Sequence, residues 1–353
     1  MRHRQFVGAR IEDAINRSAN RVLPGRGWVE RIIPYPGYGN EEHLRVLGRV
    51  VLVPHSDSQL GLGVDQMLNH RGWRNLFRQA VPGASVGVTV GDEQIEVQAD
   101  RGGYLDVTIK NHGLTPGWAH VTITTLTAEP VRAPIQVVSS EQTWGLISDL
   151  DDTVISTSLP RLFLAAWNSF VSTEGNRRAV TGMARFYQRF QRAHPGAPIV
   201  YVSTGAWNTL PFLNRFLHRH GFPPGVLLLT DWGPTNNGFF RSGPDHKRYA
   251  VGELARDFPN IKWLLVGDDG QHDPLLYREF AELQPDRVRA IAIRQLTSTE
   301  QVLAHGTVDR LQDNSEIEWT PPPVPETVGR DGDELFLELA EVLGLKDTSP
   351  LRT

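Results

Sequence analysis

The second half of the sequence alternates short apolar runs with amphipathic segments, and this alternation limits the possible folds more than any other feature. The runs "GLISDL", "PIVYVST", "WLLVGD" and "VRAIAIR" have the length and β-branched content of buried strands. Segments such as "TLPFLNRFLHRHG" and "DPLLYREFAEL" place apolar residues at helical spacing. Strands that alternate with helices predict βαβ units, and therefore an α/β domain with a largely parallel sheet covered on both faces.

The first half has a different pattern. Short alternating runs such as "SVGVTV", "YLDVTIK" and "WAHVTITTL" are separated by Gly, Asp, Asn and Pro, which predicts an antiparallel β-sandwich. Helical patterns over residues 2–20 and 65–79 predict helical additions to it. Because the pattern changes at "SSEQT", the sequence predicts a β-sandwich accessory domain over 1–140, an α/β catalytic domain over 141–318, and a Pro-rich linker with a C-terminal helix over 319–353. Asp331 is the expected N-cap of that helix.

The composition is that of an ordinary globular chain, with 40% hydrophobic and 22% charged residues. A net charge of -4 gives no reason to expect nucleic-acid binding. The absence of cysteine excludes disulfides, thiolate catalysis and cysteine-bound zinc. Neither a signal peptide nor a run of about 18 apolar residues is found. We therefore expect a cytoplasmic protein, with peripheral contact at a membrane surface as an option.

Polar side chains follow the predicted strands at the points where the strands end. In an open parallel sheet, ligands bind beyond the carboxyl ends of the strands, so these side chains are expected at one edge. Only four of the 36 Lys and Arg residues are lysines, which makes a lysine beside this edge informative. The candidates are Asp149, Asp151 and Thr153 after the first run, Ser203 and Thr204 after the second, Asp268, Asp269 and Asp273 after the third, and Lys247 before a predicted helix.

These residue types suit phosphoryl transfer. A phosphomonoester is anionic and repels a carboxylate nucleophile, so a cation such as Mg²⁺ must offset both charges. Asp149 is the candidate nucleophile, which would form an aspartyl-phosphate, and Asp151 is the candidate general acid and base. Ser203 would hold phosphoryl oxygens, and Lys247 would offset their charge. The candidate Mg²⁺ ligands are Asp149, Asp151, Asp268, Asp269 and Asp273.

The same segments resemble phosphatases of the haloacid dehalogenase-like superfamily. Its DxDxT motif matches "DLDDT" from Asp149 to Thr153, its second and third motifs match Ser203 and Lys247, and its fourth matches "GDDGQHD". Together with "GFPPGVLLL", these stretches are similar to the catalytic domain of the actin-patch-type phosphatidate phosphatase family over residues 143–297. The resemblance implies a Rossmann-like sheet of the haloacid dehalogenase type. It also implies Mg²⁺-dependent removal of phosphate from phosphatidate, which yields diacylglycerol.

Several residue assignments have alternatives. The acidic run after the first strand could be a solvated turn, and Asp269 or Asp273 could cap the following helix instead of binding metal. Asp152 is expected to have a structural role, while Thr153 orients the loop. The candidate substrate contacts are Thr204, Gly205 and Trp207.

The function also has alternatives. The substrate could be a soluble or protein-borne phosphomonoester instead of a phospholipid such as phosphatidate. The chain could also be a non-catalytic protein whose β domain binds a partner or a membrane surface. Residues 159–170 could line an entrance for acyl chains, or form a core helix.

Overall fold

The computed structural model describes residues 28–54, 79–156, 178–230, 243–270, 272–305 and 322–344. The helix predicted over 2–20, all but the last residue of the helix predicted over 65–79, and the segment 159–170 lie outside these ranges. The chain divides into two compact units, of which one comprises Met1–Ser140, Gly205–Pro211 and Leu229–Ser242, and the other Glu141–Thr204, Phe212–Leu228 and Gly243–Thr353. Of the helices in the described ranges, none combines the length and the apolarity needed to cross a bilayer.

The first unit contains an eight-stranded sheet. The strands are β1 (Trp28–Asn40), β2 (His43–Pro54), β3 (Gln79–Ala80), β4 (Ser85–Val90), β5 (Glu93–Gln98), β6 (Tyr104–Lys110), β7 (Gly117–Thr125) and β8 (Val131–Val138). Their order is β3-β2-β1-β8-β7-β4-β5, with β6 also paired to β2. The alternating apolar residues of these strands, such as Val88, Ile123 and Ile135, meet in one buried cluster.

The strands predicted from alternation are confirmed, and their pairing is mainly antiparallel, with β1 and β8 running parallel. They form one hydrogen-bonded sheet instead of the two separate sheets of the predicted sandwich. The length of β2 explains this, because its 12 residues pair with β1 along one edge and with both β6 and β3 along the other. Gln79, placed in a helix by the sequence pattern, is the first residue of β3.

The second unit is built on a six-stranded sheet of order β13-β12-β9-β14-β15-β16. The strands are β9 (Trp144–Asp149), β12 (Ile199–Ala206), β13 (Val226–Thr230), β14 (Lys262–Asp268), β15 (Val288–Arg294) and β16 (Glu326–Gly329), and a separate pair is formed by β10 (Ile155–Ser156) and β11 (Arg178–Ala179). The helices are α1 (Met183–Ala193), α2 (Leu210–Arg219), α3 (Gly243–Asp257), α4 (Asp273–Leu283), α5 (Ser298–His305) and α6 (Gly332–Leu339). The pairs β12–β9, β9–β14, β14–β15 and β15–β16 are all parallel, which confirms the predicted α/β architecture.

The Pro-rich segment is not entirely a linker. Glu326–Gly329 form β16 and pair with β15, so the linker prediction is wrong for these residues. Pro325 precedes the strand, and its carbonyl accepts a hydrogen bond from the Ile291 N–H at 2.9 Å. Proline lacks a donor but keeps this acceptor, which explains how a Pro-rich segment can lead into an edge strand. The side chain of Asp331 caps α6 as predicted, because it accepts hydrogen bonds from the N–H groups of residues 333 and 334.

Gly332, the first residue of α6, lies against the backbone of residues 182–183. A Cβ atom at this position would stand 2.3 Å from Gly182 C and from Met183 N. Since backbone atoms cannot yield easily, we expect Gly332→Ala to lower the free energy of unfolding by about 1–3 kcal/mol. Gly252 in α3 is the matched control, because nothing lies within 4 Å of its Cβ position. Gly252→Ala should raise the free energy of unfolding by about 0.5–1 kcal/mol in urea titrations, and effects of one sign at both sites would contradict this prediction.

Candidate active site

Three neighbouring parallel strands end in polar side chains at one edge of the second sheet. Asp149 is the last residue of β9, and Asp268 is the last residue of β14. In β12, Val202 pairs with Asp149, so Ser203 stands one residue further towards the carboxyl end. All three side chains are at most 1% exposed. The prediction that the strand ends bring these residues to one edge is therefore confirmed.

Lys247 joins two of the carboxylates. Its Nζ lies 2.7 Å from Asp149 Oδ1 and 2.6 Å from Asp273 Oδ1, and all three side chains are buried. Lys247 lies near the start of α3, and Asp273 is the first residue of α4. Burial lowers the pKa of Lys247, but the charges of Asp149, Asp273 and Asp268 outweigh burial and hold this pKa above its ordinary value. The ammonium group therefore stays charged.

Asp149, Asp268 and Asp273 form a buried group in which one carboxylate oxygen of each residue lies within 4.8 Å of one oxygen of each of the others. One ammonium ion cannot balance three carboxylates. Burial, reinforced by Asp273, Asp268 and Asp151 and opposed by Lys247, raises the pKa of Asp149 well above its usual range. Burial, followed by the charge of Asp273, does the same to the pKa of Asp268.

Besides Asp149 Oδ1, which faces the Lys247 ammonium, two oxygens of this carboxylate group lack hydrogen-bond partners within the described ranges. They are Asp149 Oδ2 and Asp273 Oδ2, and both are buried. Buried unpaired carboxylate oxygens are costly unless a cation balances them. Close carboxylate oxygens are also the ligands that hard divalent cations prefer. The donor set of Asp149, Asp268 and Asp273 therefore suits the predicted Mg²⁺.

The loop that follows β9 carries two more predicted catalytic residues, of which Thr153 contacts this group and Asp151 contacts Ser203 in β12. Ser203 Oγ donates a hydrogen bond to Asp151 Oδ2 at 3.0 Å. Thr153 Oγ1 donates to Asp268 Oδ2 at 3.3 Å, which agrees with its predicted role in orienting the loop. Asp151 does not belong to the group of three close carboxylates. It lies near the group all the same, because its charge contributes to the raised pKa of Asp149.

Asp152 gives the loop its shape. Its φ of 59° is left-handed, a conformation that Asp tolerates better than most residues other than glycine. Its N–H donates to the Ile155 carbonyl at 2.8 Å, while the N–H groups of Val154 and Ile155 donate to the Leu150 carbonyl at 3.0 and 2.9 Å. The loop is therefore held by its own backbone, which supports the structural role expected for Asp152.

Asp269 does not belong to the three close carboxylates. Its Oδ1 accepts a hydrogen bond from the Leu296 N–H at 2.8 Å, and its own N–H donates to the Arg294 carbonyl at 2.9 Å. These bonds tie the loop after β14 to the end of β15. Of the two residues that the sequence left open as metal ligands, the structure brings Asp273 into the group and leaves Asp269 out. Neither residue caps α4, whose N-cap position is His272.

The predicted substrate contacts lie at and beyond the end of β12. Thr204 is exposed, and the Gly205 carbonyl accepts a hydrogen bond from Thr230 Oγ1 at 3.3 Å. The ring of Trp207 stacks on Tyr35 within the first unit, with ring centroids 4.3 Å apart and planes at 10°. Trp207 thus has a packing partner, and its contact with substrate stays a prediction.

Two buried residues near the site have no motif that would have singled them out. The Tyr187 hydroxyl lies 2.6 Å from Ser148 Oγ, which donates to the Asp149 carbonyl at 2.6 Å. Arg294 ends β15 and binds the loop after β9 through the Asp152 carbonyl. The only sequence signal for Arg294 is a charge at the carboxyl end of the otherwise apolar run "AIAIR".

Residues 144–295 match the family model described as "Phosphatidate phosphatase APP1, catalytic domain". The range begins with β9, ends just after β15, and includes every candidate catalytic and metal-binding residue. The family predicted from the motifs is thus confirmed for this segment. The APP1-type segment coincides with most of the parallel sheet and excludes the eight-stranded sheet.

Two curated yeast proteins are similar to the chain. Phosphatidate phosphatase APP1 of Saccharomyces cerevisiae is 28% identical over 187 residues, which are 52% of this chain and 31% of that protein. An uncharacterized protein of Schizosaccharomyces pombe is 24% identical over 155 residues, covering 44% of this chain and 25% of that protein. The chain therefore matches less than a third of the length of either relative.

A solved structure, the carbohydrate acetylesterase XAC1771 from Xanthomonas citri, aligns at 12% identity over 78% of this chain and 76% of that chain. Its TM-score of 0.26 is too low to bear on fold or function.

Proposed function

We propose that the chain is a phosphatase of phosphomonoesters with Asp149 as its nucleophile. The observation that carries this proposal is the buried pair of Asp149 and Lys247 at the end of β9, beside the oxygens of Asp268 and Asp273. A purely structural ion pair would have its oxygens satisfied, whereas Asp149 Oδ2 has no hydrogen-bond partner within the described ranges. The match of this segment to a phosphatase catalytic domain supports the same assignment.

The residues divide the reaction into two displacements at phosphorus. In the first, a carboxylate oxygen of Asp149 attacks phosphorus, the bond to the alcohol oxygen breaks, and protonated Asp151 gives its proton to the departing alkoxide. The product is an aspartyl-phosphate. In the second, Asp151 takes a proton from a water molecule as the water oxygen attacks phosphorus, and the bond to Asp149 breaks. Phosphate leaves, and both carboxyl groups return to their starting states.

Neighbouring residues hold these two carboxyl groups in place. The Ser203 hydroxyl, 3.0 Å from Asp151 Oδ2, would fix the direction of the acid and base. Lys247 holds Asp149 and offsets negative charge on the phosphoryl oxygens. Because each of these contacts is already present, little reorganisation is required when a phosphate group arrives.

Asp149, Asp268 and Asp273 are the residues that would hold Mg²⁺. When bound, the cation would offset the charges of the phosphoryl group and of the carboxylates around it. Asp268 is oriented in advance, since its Oδ1 accepts the Gly270 N–H at 2.8 Å and its Oδ2 accepts Thr153 Oγ1. Hydrogen bonds to a metal-binding carboxylate orient it and increase the affinity of the site for the metal.

We propose a phosphatidate-like phospholipid as the leading substrate, with the protein acting peripherally at a membrane surface. The matching family and the Saccharomyces cerevisiae relative are both named for phosphatidate phosphatase, which supports this choice. A soluble or protein-borne phosphomonoester is the second candidate. The residues described above recognise the phosphate group and its leaving oxygen, and every phosphomonoester has both.

The test compares two substrates and two metal conditions. We expect the purified chain to release phosphate from phosphatidate in mixed micelles with Mg²⁺, and excess EDTA to lower the rate on the order of 10³-fold. The same EDTA with a molar excess of Mg²⁺ is the control. A higher kcat/KM for phosphatidate than for p-nitrophenyl phosphate would support the lipid assignment, and the reverse preference would favour the soluble ester. Hydrolysis that is indifferent to EDTA would contradict the proposal.

A further inference from the structure

Arg294 is a buried arginine whose guanidinium group joins three segments of the second unit. Nη1 donates to the Asp152 carbonyl at 2.6 Å, and Nη2 donates to Glu300 Oε1 at 2.8 Å. Nε donates to the Arg330 carbonyl at 3.3 Å. The side chain is only 7% exposed. A buried guanidinium is costly unless its donors are used, and here the three described contacts engage all three nitrogens.

The carbonyl that Arg294 binds belongs to Asp152, which lies between two residues of the candidate active site. Asp152 has a left-handed φ of 59° and stands between Asp151 and Thr153. The side chain of Asp151 meets Ser203, and that of Thr153 meets Asp268. A rotation of the peptide group at Asp152 would therefore displace the residues on both sides of it. A short, charge-assisted hydrogen bond to this carbonyl opposes such a rotation.

Glu300 fixes the other side of the guanidinium group. Its carboxylate also accepts hydrogen bonds from the Thr297 N–H and Thr297 Oγ1, both at 2.9 Å, and from Ser156 Oγ at 3.3 Å. Ser156 is the last residue of β10, so this contact also anchors the far end of the loop. Burial acts to raise the pKa of Glu300, but the bonds from Arg294 and Thr297 hold it below the ordinary value. Glu300 is therefore a carboxylate at neutral pH.

We propose that Arg294 is a positioning residue for the reaction. It holds the loop of residues 150–156 in the conformation in which Asp151 faces Ser203 and Thr153 faces Asp268. It acts through a main-chain carbonyl. This proposal rests on the proposed function for its effect on the rate, whereas its effect on the loop can be measured separately.

The kinetic test uses Arg294→Gln and Arg294→Lys in the full chain, assayed on p-nitrophenyl phosphate with Mg²⁺. We expect Arg294→Gln to lower kcat on the order of 10²-fold, with KM changed by less than about threefold, because the catalytic groups are displaced while phosphate recognition is retained. Arg294→Lys should recover part of the loss, since one ammonium can reach one of the partners but not all three. The control is Arg256→Gln, which removes an arginine whose side chain is 73% exposed and should leave kcat unchanged. A folded Arg294→Gln with the kcat of the wild type would overturn the proposal.

Hydrogen–deuterium exchange tests the loop without reference to turnover. The N–H groups of Asp152, Val154 and Ile155 are protected by bonds within the loop. They should exchange at least about tenfold faster in Arg294→Gln, while the amides of β14 exchange as in the wild type. Unchanged loop exchange, or equal acceleration in β14, would overturn the positioning role.

If the wild type hydrolyses no phosphomonoester, the proposed function fails and the exchange measurement decides the role of Arg294 alone. If Arg294→Gln does not fold, Arg294→Lys is measured in its place, and wild-type kcat and loop exchange in that variant would overturn the proposal.

Discussion

Asp149→Asn is expected to lower kcat for every phosphomonoester on the order of 10⁴-fold or more. Asparagine has nearly the same size and keeps an oxygen that faces Lys247, but its amide oxygen carries no charge and cannot form a stable bond to phosphorus. Phosphate release at saturating substrate and Mg²⁺ measures the effect. A folded Asp149→Asn variant that still turns over within tenfold of the wild type would show that another group attacks phosphorus.

The same substitution is not expected to weaken the fold. Burial and neighbouring carboxylates raise the pKa of Asp149, which means that its charge is unfavourable in the metal-free protein. Lys247 retains its ion pair with Asp273 in the variant. The free energy of unfolding in EDTA should therefore equal or exceed that of the wild type, as is common where a catalytic group is removed.

With Mg²⁺ bound, the wild type should become more stable than the Asp149→Asn variant. At a concentration of about 100 times Kd, the ion would stabilise the wild type by about 2.7 kcal/mol. Asp149→Asn should gain less, because it has lost one of its three carboxylates. Asp286→Asn is the matched control, since Asp286 is 97% exposed and its oxygen lies 3.7 Å from Lys262 Nζ. It should alter neither kcat nor the stabilisation by Mg²⁺.

The core of the candidate site could be predicted because strand ends are visible in the sequence. Asp149, Ser203 and Asp268 each follow an apolar run, and parallel pairing necessarily brings such ends together. The choice between Asp269 and Asp273 could not be predicted, because both follow β14 and their partners, Leu296 and Lys247, come from distant parts of the sequence. The role of Arg294 could not be predicted for a different reason. It acts through a backbone carbonyl, and a carbonyl has no sequence signature.

For the fold, the positions of most strands could be predicted, but not all of their pairings. Alternation correctly located β4 to β8, but it reveals which face of a strand is buried and not which strand lies beside it. The parallel pairing of β1 with β8, and the pairing of β2 with both β3 and β6, could therefore not be predicted. β16 was not predicted because it follows a Pro-rich segment, and an edge strand tolerates proline directly before its first residue.

Lys247→Met should have the largest effect on stability. Lys247 is the partner of both Asp149 and Asp273, and removing it leaves these buried carboxylates without a counter-charge. We expect the free energy of unfolding in EDTA to fall by about 3–5 kcal/mol. We also expect kcat to fall on the order of 10²–10³-fold, because phosphoryl charge is no longer offset. Lys262→Met is the control, since that side chain is 42% exposed and should change stability by less than about 0.5 kcal/mol.

A double substitution separates the loss of the ion pairs from the loss of packing. If Lys247→Met destabilises the protein by leaving carboxylates unpaired, then Asp149→Asn in the same chain removes one of those charges. The double variant should therefore be more stable than Lys247→Met alone, with a coupling energy of about 1–3 kcal/mol. Mg²⁺ should likewise recover more stability in Lys247→Met than in the double variant, because the cation supplies the missing positive charge to a fuller set of carboxylates. Additive effects of the two substitutions would mean that Lys247 contributes mainly by filling space, and its assignment as the charge partner of Asp149 would then be wrong.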